Sequence, residues 1–233
     1  MIPTTEHPFN FEAGEILNVN KPKGMTSFRV VQHIRNWTQC KKVGHAGTLD
    51  PLATGVLIVC TGRGTKRISE FVHLDKEYEG TIELGLTTDT DDAEGRPLEK
   101  RPVPNFTSEE IENILNHFRG EILQVPPMYS ALKKNGKRLY RMARKGIVVE
   151  REPRKVTIFQ LEKLSWKKPF LGIRICCSKG TYIRSLARDI GERLKTGGYL
   201  TELCRTRIGP YHLQESYSLD ALKGVVEAVH AGV

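Results

Sequence analysis

Apolar and polar positions change period several times along this chain of 233 residues, and each change marks an element. A short apolar run from Gly14 to Asn20, ended by Lys21-Pro22-Lys23-Gly24, predicts a strand. Phe28, Val31, Ile34 and Thr38 then recur at helical spacing, with Ser27 placed to cap the helix that carries them. From Tyr78 to Leu86 the even positions are mostly apolar and the odd ones mostly polar, the mark of a half-buried strand. Thr107 with Glu110 forms a capping box ahead of Ile111, Leu115 and Phe118. Val156–Leu161 and Leu171–Cys177 predict two further strands. Ile183, Leu186, Ile190 and Leu194 predict a helix closed by Gly197-Gly198, and Leu219, Leu222, Val226 and Val229 a last one, over about 218–230. Strands and helices alternate without a repeating unit, so the expected class is α+β, with a mixed, mainly antiparallel sheet flanked by helices.

Composition narrows this picture. The longest strongly apolar run, Gly55 to Cys60, is far short of the ~20 residues a bilayer span needs, so no membrane helix is expected. Residues Met1 to His7 have neither a basic head nor an apolar stretch, which predicts a cytoplasmic protein. Five scattered cysteines with no Cys-x-x-Cys pair argue against a disulfide scaffold and against structural zinc. Cys60 and the Cys176-Cys177 pair lie in apolar runs and read as small core residues.

Charge is unevenly placed. The net charge is +9, yet Lys133–Lys168 alone carries thirteen Lys and Arg against three Glu, whereas Glu70–Glu112 is net −9. Two readings of the basic stretch stand. One is a solvated face, and the other a polyanion clamp, with Lys133, Lys134, Lys137, Arg138 and Arg141 alongside Tyr129 and Tyr140. Prolines at Val125-Pro126-Pro127 and Glu152-Pro153 bound the stretch and predict an insertion over about 124–152 in a single domain covering 1–233.

Several chemistries find no support. Gly62-Arg63-Gly64-Thr65-Lys66 lacks the spacing of a phosphate loop and reads as a turn opening a helix. Asp89 to Gly95 begins like a calcium loop but has Ala93 and Glu94 where a ligand and a glycine are needed. The seven histidines make no HExxH pair. One motif remains, Gly44-His45-Ala46-Gly47-Thr48-Leu49-Asp50-Pro51-Leu52-Ala53-Thr54-Gly55, a glycine-punctuated loop feeding the apolar strand Val56–Cys60. It presents one acid and one histidine, as an active-site loop does. The plainer alternative is a turn started by Asp50-Pro51.

That loop, continued through Val56 to Arg67, resembles the catalytic motif of the bacterial tRNA pseudouridine synthase B family, enzymes that isomerise the T-loop uridine at tRNA position 55. The resemblance extends to Lys21-Pro22-Lys23-Gly24-Met25-Thr26-Ser27, Lys76-Glu77-Tyr78, Thr88 to Gly95, Val125 to Ala131 and Gly180-Thr181-Tyr182-Ile183-Arg184. It implies the pseudouridine synthase fold and a cofactor-free, metal-free isomerase that flips its target base. By the resemblance Asp50 is the nucleophile, His45 helps rearrange the T-loop, Tyr78 packs on the target base and Tyr182 lines the pocket. Arg184 pairs with the nucleophile, Leu203 lies against the uracil, and Asp92 matches an acid near the flipped nucleotide. The basic insertion becomes a mobile thumb that grips T-arm phosphates.

The implied partner is tRNA through its T-arm, with no membrane, no guide RNA and a monomeric enzyme. Many members carry a small C-terminal RNA-binding domain, and only Gln214–Val233 follow Tyr211 here, so the resemblance is to a form lacking it. Two rivals stand: a guide-RNA-dependent synthase subunit, and an RNA-binding or RNA-folding module without turnover.

Overall fold

A computed structural model describes residues 9–134 and 136–232. The reading of Met1 to His7 lies outside them. In chain order the elements are β1 (Ile16–Lys21), α1 (Ser27–Thr38), β2 (Val43–Ala46), β3 (Thr54–Thr61), a 3-10 turn over Gly62–Arg67, α2 (Ile68–His73), β4 (Lys76–Leu84), β5 (Leu86–Thr88) and β6 (Pro97–Lys100). There follow α3 (Ser108–Asn116), β7 (Gly120–Gln124), β8 (Lys133–Lys134), β9 (Lys137–Arg138), α4 (Leu139–Ala143), β10 (Arg154–Lys167) and β11 (Phe170–Cys177). The chain ends with α5 (Ile183–Arg193), β12 (Gly198–Ile208), β13 (Tyr211–His212), a 3-10 turn over Leu213–Glu215 and α6 (Leu219–Ala231). The class is α+β, as the alternation of periods predicts.

The chain divides into two compact units, residues 1–78 with 203–233, and residues 79–202. In the first, β3 pairs antiparallel with β1 and β2, and parallel with β12 through Cys204↔Thr54 and Arg205↔Gly55. Successive side chains on a strand point to opposite faces, and β3 is apolar on both. Leu57 and Val59 join Val30, Val31 and Ile34 of α1 and Leu222 and Val226 of α6, while Val56, Ile58 and Cys60 join Phe71 of α2. Two covered faces account for the unbroken apolar run that the sequence shows there.

In the second unit β12, β4, β11, β10 and β7 lie in that order, and β10 runs antiparallel to both β11 and β7. The helix α3 packs on β10 and α5, and its capping box from Thr107 and Glu110 is fully formed. Beyond the end of β7, the described residues of the expected insertion, about 124–152, hold only the two-residue strands β8 and β9 and the five-residue helix α4.

Four local expectations are corrected. The cap of α1 is Thr26, whose side chain accepts from the Arg29 amide, because the Ser27 hydroxyl is engaged with Leu49. Phe28 is 63% exposed, and the buried face of that helix is Val30, Val31, Ile34 and Thr38. Gly44, His45 and Ala46 belong to a strand rather than to the loop that follows them. Phe118 falls beyond the end of α3. All five cysteines are free, and burial pushes the Cys60 thiol up to about 11, so it packs as a neutral side chain.

Candidate active site

The loop between β2 and β3 carries Asp50, and its shape is fixed from below. The Lys21 side chain is fully buried and its ammonium donates to the carbonyls of Pro22 (2.9 Å), Met25 (2.6 Å) and Pro51 (3.4 Å). Ser27 bonds Leu49 twice, accepting from its amide at 2.9 Å and donating to its carbonyl at 3.1 Å. The Gly24 amide donates to the Pro51 carbonyl, and the Ala53 amide to that of Asp50. The motif Lys21 to Ser27 is thus the bed on which the Asp50 loop lies, which gives two distant sequence motifs one structural purpose. Gly55, where the loop ends, has φ +101°, and a Cβ there would meet the Arg205 carbonyl oxygen at 2.2 Å. Only glycine admits the close approach of β12 at this point.

Around this loop the first unit gathers His45, Tyr78 and Leu203. Tyr78 is 8% exposed and faces the guanidinium of Arg205, 6.0 Å from the ring centre. His45 sits on β2 opposite Val59, and its Nδ1 is buried with no hydrogen-bond partner among the described residues. Burial, and secondly the Arg205 charge, hold its pKa below the ordinary histidine value, so near pH 7 the ring is neutral. Leu203 is buried on β12, and its carbonyl accepts from the Thr54 hydroxyl at 3.5 Å. Asp50 itself is half-buried.

The second unit brings together Asp92, Arg184 and Tyr182. Arg184, 4% exposed, donates to the carbonyls of Thr90 (2.9 Å) and Tyr129 (2.8 Å), and its Nε lies 3.5 Å from the Asp92 carboxylate. Asp92 also accepts from the Thr90 hydroxyl at 2.5 Å and from the Glu94 amide at 3.0 Å. These bonds explain the Thr88 to Gly95 segment that fails as a calcium loop: its turn is shaped to hold one carboxylate against one guanidinium. Beside it Asp91, in a left-handed conformation at φ 61°, pairs with Arg188 at 2.9 Å. Burial pushes the Asp91 carboxyl up, while the Arg188 and Arg184 charges draw it back. Tyr182 is fixed at the head of α5, its amide donating to the Gln124 side-chain oxygen at 2.8 Å and its carbonyl accepting from the same side chain at 3.1 Å.

Lys133, Lys134, Lys137, Arg138 and Arg141 are all exposed. Beside them the Arg144 guanidinium stands over the Tyr140 ring at 5.6 Å. Among the described residues there is no cluster of three acidic, histidine or cysteine side chains that could hold a metal ion. Among the described residues no helix is long and apolar enough to cross a membrane. Arg205 and Lys21, two of the most deeply buried side chains, are absent from the sequence reading of the site. The available signal was a cation inside an otherwise apolar strand pattern.

Two family models together match residues 35–231. Residues 35–183 match the TruB family pseudouridylate synthase N-terminal domain, and residues 184–231 match the tRNA pseudouridylate synthase B C-terminal domain. The tRNA pseudouridine synthase B of Bacteroides fragilis is 52% identical over 213 residues, spanning 88% of this chain and 91% of that relative. That of Clostridium tetani is 48% identical over 205 residues, 88% of this chain and 71% of the relative. Among solved structures, a chain of a Cbf5-Nop10-Gar1 complex superposes with TM-score 0.75 at 29% identity, covering 96% of this chain. A chain of an H/ACA RNP bound to a substrate RNA gives TM-score 0.71 at 26% identity over 96% of this chain. This chain spans only 57% and 56% of those two chains.

Proposed function

The chain belongs to the TruB family of pseudouridylate synthases, and from that premise we propose that it isomerises the T-loop uridine at position 55 of tRNA, acting alone in the cytoplasm as a monomer. The reaction class, uridine isomerisation in tRNA, rests on likeness over 88% of this chain to proteins named tRNA pseudouridine synthase B. In the reaction the N1–C1′ bond of the nucleotide breaks, the uracil turns, and a C5–C1′ bond forms. The C5 proton is lost and N1 gains one, so the change is redox-neutral.

Asp50 is the nucleophile in this reading. The single observation that carries it is the bed of buried hydrogen bonds from Lys21 and Ser27 beneath the loop, since a reacting carboxylate needs its position set before substrate arrives. Tyr78 is the platform for the flipped base. Unstacking costs a few kcal/mol, and base–aromatic stacking returns ~1–3 kcal/mol. Tyr182 and Leu203 are pocket walls, and His45 takes part in rearranging the T-loop. Arg184, oriented by Asp92 and two carbonyls, is in this reading the guanidinium that pairs with the reacting carboxylate. The exposed cations Lys133, Lys134, Lys137, Arg138 and Arg141 grip phosphates.

A second reading, a guide-dependent subunit, draws on the likeness to chains solved in a Cbf5-Nop10-Gar1 complex and in an H/ACA RNP bound to a substrate RNA. One experiment separates the readings: purified protein is incubated alone with an unmodified tRNA transcript and pseudouridine is mapped. Pseudouridine at position 55 without added RNA or protein supports the stand-alone enzyme. Modification that appears only with a cell extract contradicts it. Tight tRNA binding with no modification under either condition supports the non-catalytic module.

A further inference from the structure

Arg205 lies at a core position of β12 and is 1% exposed. A buried cation costs several kcal/mol in lost hydration, and pairing with an anion is the usual compensation. No carboxylate among the described residues pairs with Arg205. Its Nε donates to the Val56 carbonyl at 2.7 Å, one terminal nitrogen donates to the Gly47 carbonyl at 3.1 Å, and its plane faces the Tyr78 ring at 6.0 Å.

The location of those two carbonyls is informative. The last paired residues of the β2–β3 hairpin are Ala46 and Ile58, and beyond them the strands part to release the Asp50 loop. Gly47 is the first residue past that pairing on one side and Val56 lies beyond it on the other. The guanidinium therefore spans the mouth of the loop where pairing between β2 and β3 stops, while facing the tyrosine ring as its third contact. An apolar residue at 205 would fill the same core position and leave both carbonyls unpaired.

We propose that Arg205 is a positioning residue for this enzyme: one planar group closes the mouth of the Asp50 loop and orients Tyr78, so that nucleophile and stacking platform are set by a single side chain. Two carbonyls on opposite sides of the loop mouth suit a rigid fork of donors, and an ammonium on a flexible stem cannot reproduce that reach. The inference rests on the reaction assigned above.

The test uses the full chain with Arg205→Gln and Arg205→Lys, read by melting temperature, tRNA affinity and the single-turnover rate of tritium release from 5-tritiated uridine in tRNA. Folded variants should bind tRNA within about threefold of wild type, because phosphate contacts dominate affinity, yet release tritium 10- to 100-fold more slowly, the scale expected of a reacting group displaced by about 1 Å. Arg205→Lys should recover less than tenfold of that loss. A purely structural role would lower the melting temperature and the reaction amplitude while leaving the rate constant unchanged, and that result overturns the proposal. Should Arg205→Gln not fold, Arg205→Lys decides alone: a folded Lys variant with a wild-type rate constant overturns it. Wild-type protein run in parallel separates the two claims, since no release by wild type overturns the assigned reaction as well, whereas a wild-type rate in a folded variant overturns only the role of Arg205.

Discussion

The loop Gly47–Ala53 and the basic segment of about 124–152 are both largely irregular stretches, yet they are built on opposite terms. The loop carries one acid, and its Gly47, Leu49 and Pro51 carbonyls accept from buried donors, two of them on cations that are almost wholly out of solvent. The basic segment shows the reverse: its cations Lys133, Lys134, Lys137, Arg138 and Arg141 are exposed, and its regular structure is two strands of two residues and one helix of five. Bond-making demands a reacting atom held to a fraction of an ångström, so the loop relies on desolvated hydrogen bonds. Phosphate attraction acts over the ~8–10 Å of a Debye length and tolerates imprecision, so under the proposed function the segment needs charge rather than a precisely fixed frame.

The largest effect expected is on the loop. Asp50→Asn keeps the shape of the side chain and removes its charge and nucleophilicity, so turnover should fall at least about 10³-fold while tRNA binding, measured by fluorescence titration, stays within a few fold. Next is a pair of glycine substitutions that puts the two frames side by side. Gly55 and Gly136 both hold positive φ, +101° and +76°, but a Cβ on Gly55 meets the Arg205 backbone at 2.2 Å and one on Gly136 meets nothing within 4 Å. Gly136→Ala should cost about 1–2 kcal/mol at most in a denaturant melt. Gly55→Ala should cost clearly more and depress turnover with it. Equal costs would remove the claimed difference in rigidity.

Much of this contrast is legible in the sequence, and where it is not the reasons are physical. The Asp50 turn, the capping box of α3 and the cation run are local patterns that survive folding, though the loop proper is only Gly47–Ala53, between β2 and β3. The strand β12 escapes pattern reading because its buried positions shift from Gly198 and Leu200 to Leu203 and Arg205, and one of them is an arginine. Ser27 reads as a cap, since nothing local reveals that its hydroxyl serves Leu49, twenty-two residues on. The pairing of Arg184 with Asp92 joins residues ninety-two apart in the chain. Long-range bonds to backbone carbonyls leave no periodicity, so the supports of the site are harder to read than its reactive groups.

A smaller effect is expected of the basic segment. Replacing Lys133, Lys134, Lys137, Arg138 and Arg141 with Gln should flatten the plot of log K against log salt by ~0.7–0.9 for each phosphate that is no longer neutralised, with melting behaviour unchanged. An unchanged slope would return these residues to a solvated face. The smallest effect is on His45. Its ring should titrate below the ordinary value near 6.5 in an NMR titration, and Arg205→Gln should move it upward only part of the way, because burial is the larger cause. The sign for stability follows. The unfolded chain takes up the proton first, so this histidine lowers stability as pH falls through about 6.5, and the decline ends once pH passes below the folded value.

The division between a rigid loop for chemistry and a charged segment for grip is tested most directly by single-turnover tritium release at saturating tRNA, with Asp50→Asn and the five-Gln variant measured together. The five-Gln variant should need more RNA to saturate and then react within a few fold of the wild-type rate, while Asp50→Asn should bind normally and release nothing measurable. Near wild-type release by Asp50→Asn, or a saturated rate in the five-Gln variant as low as that of Asp50→Asn, would contradict the account.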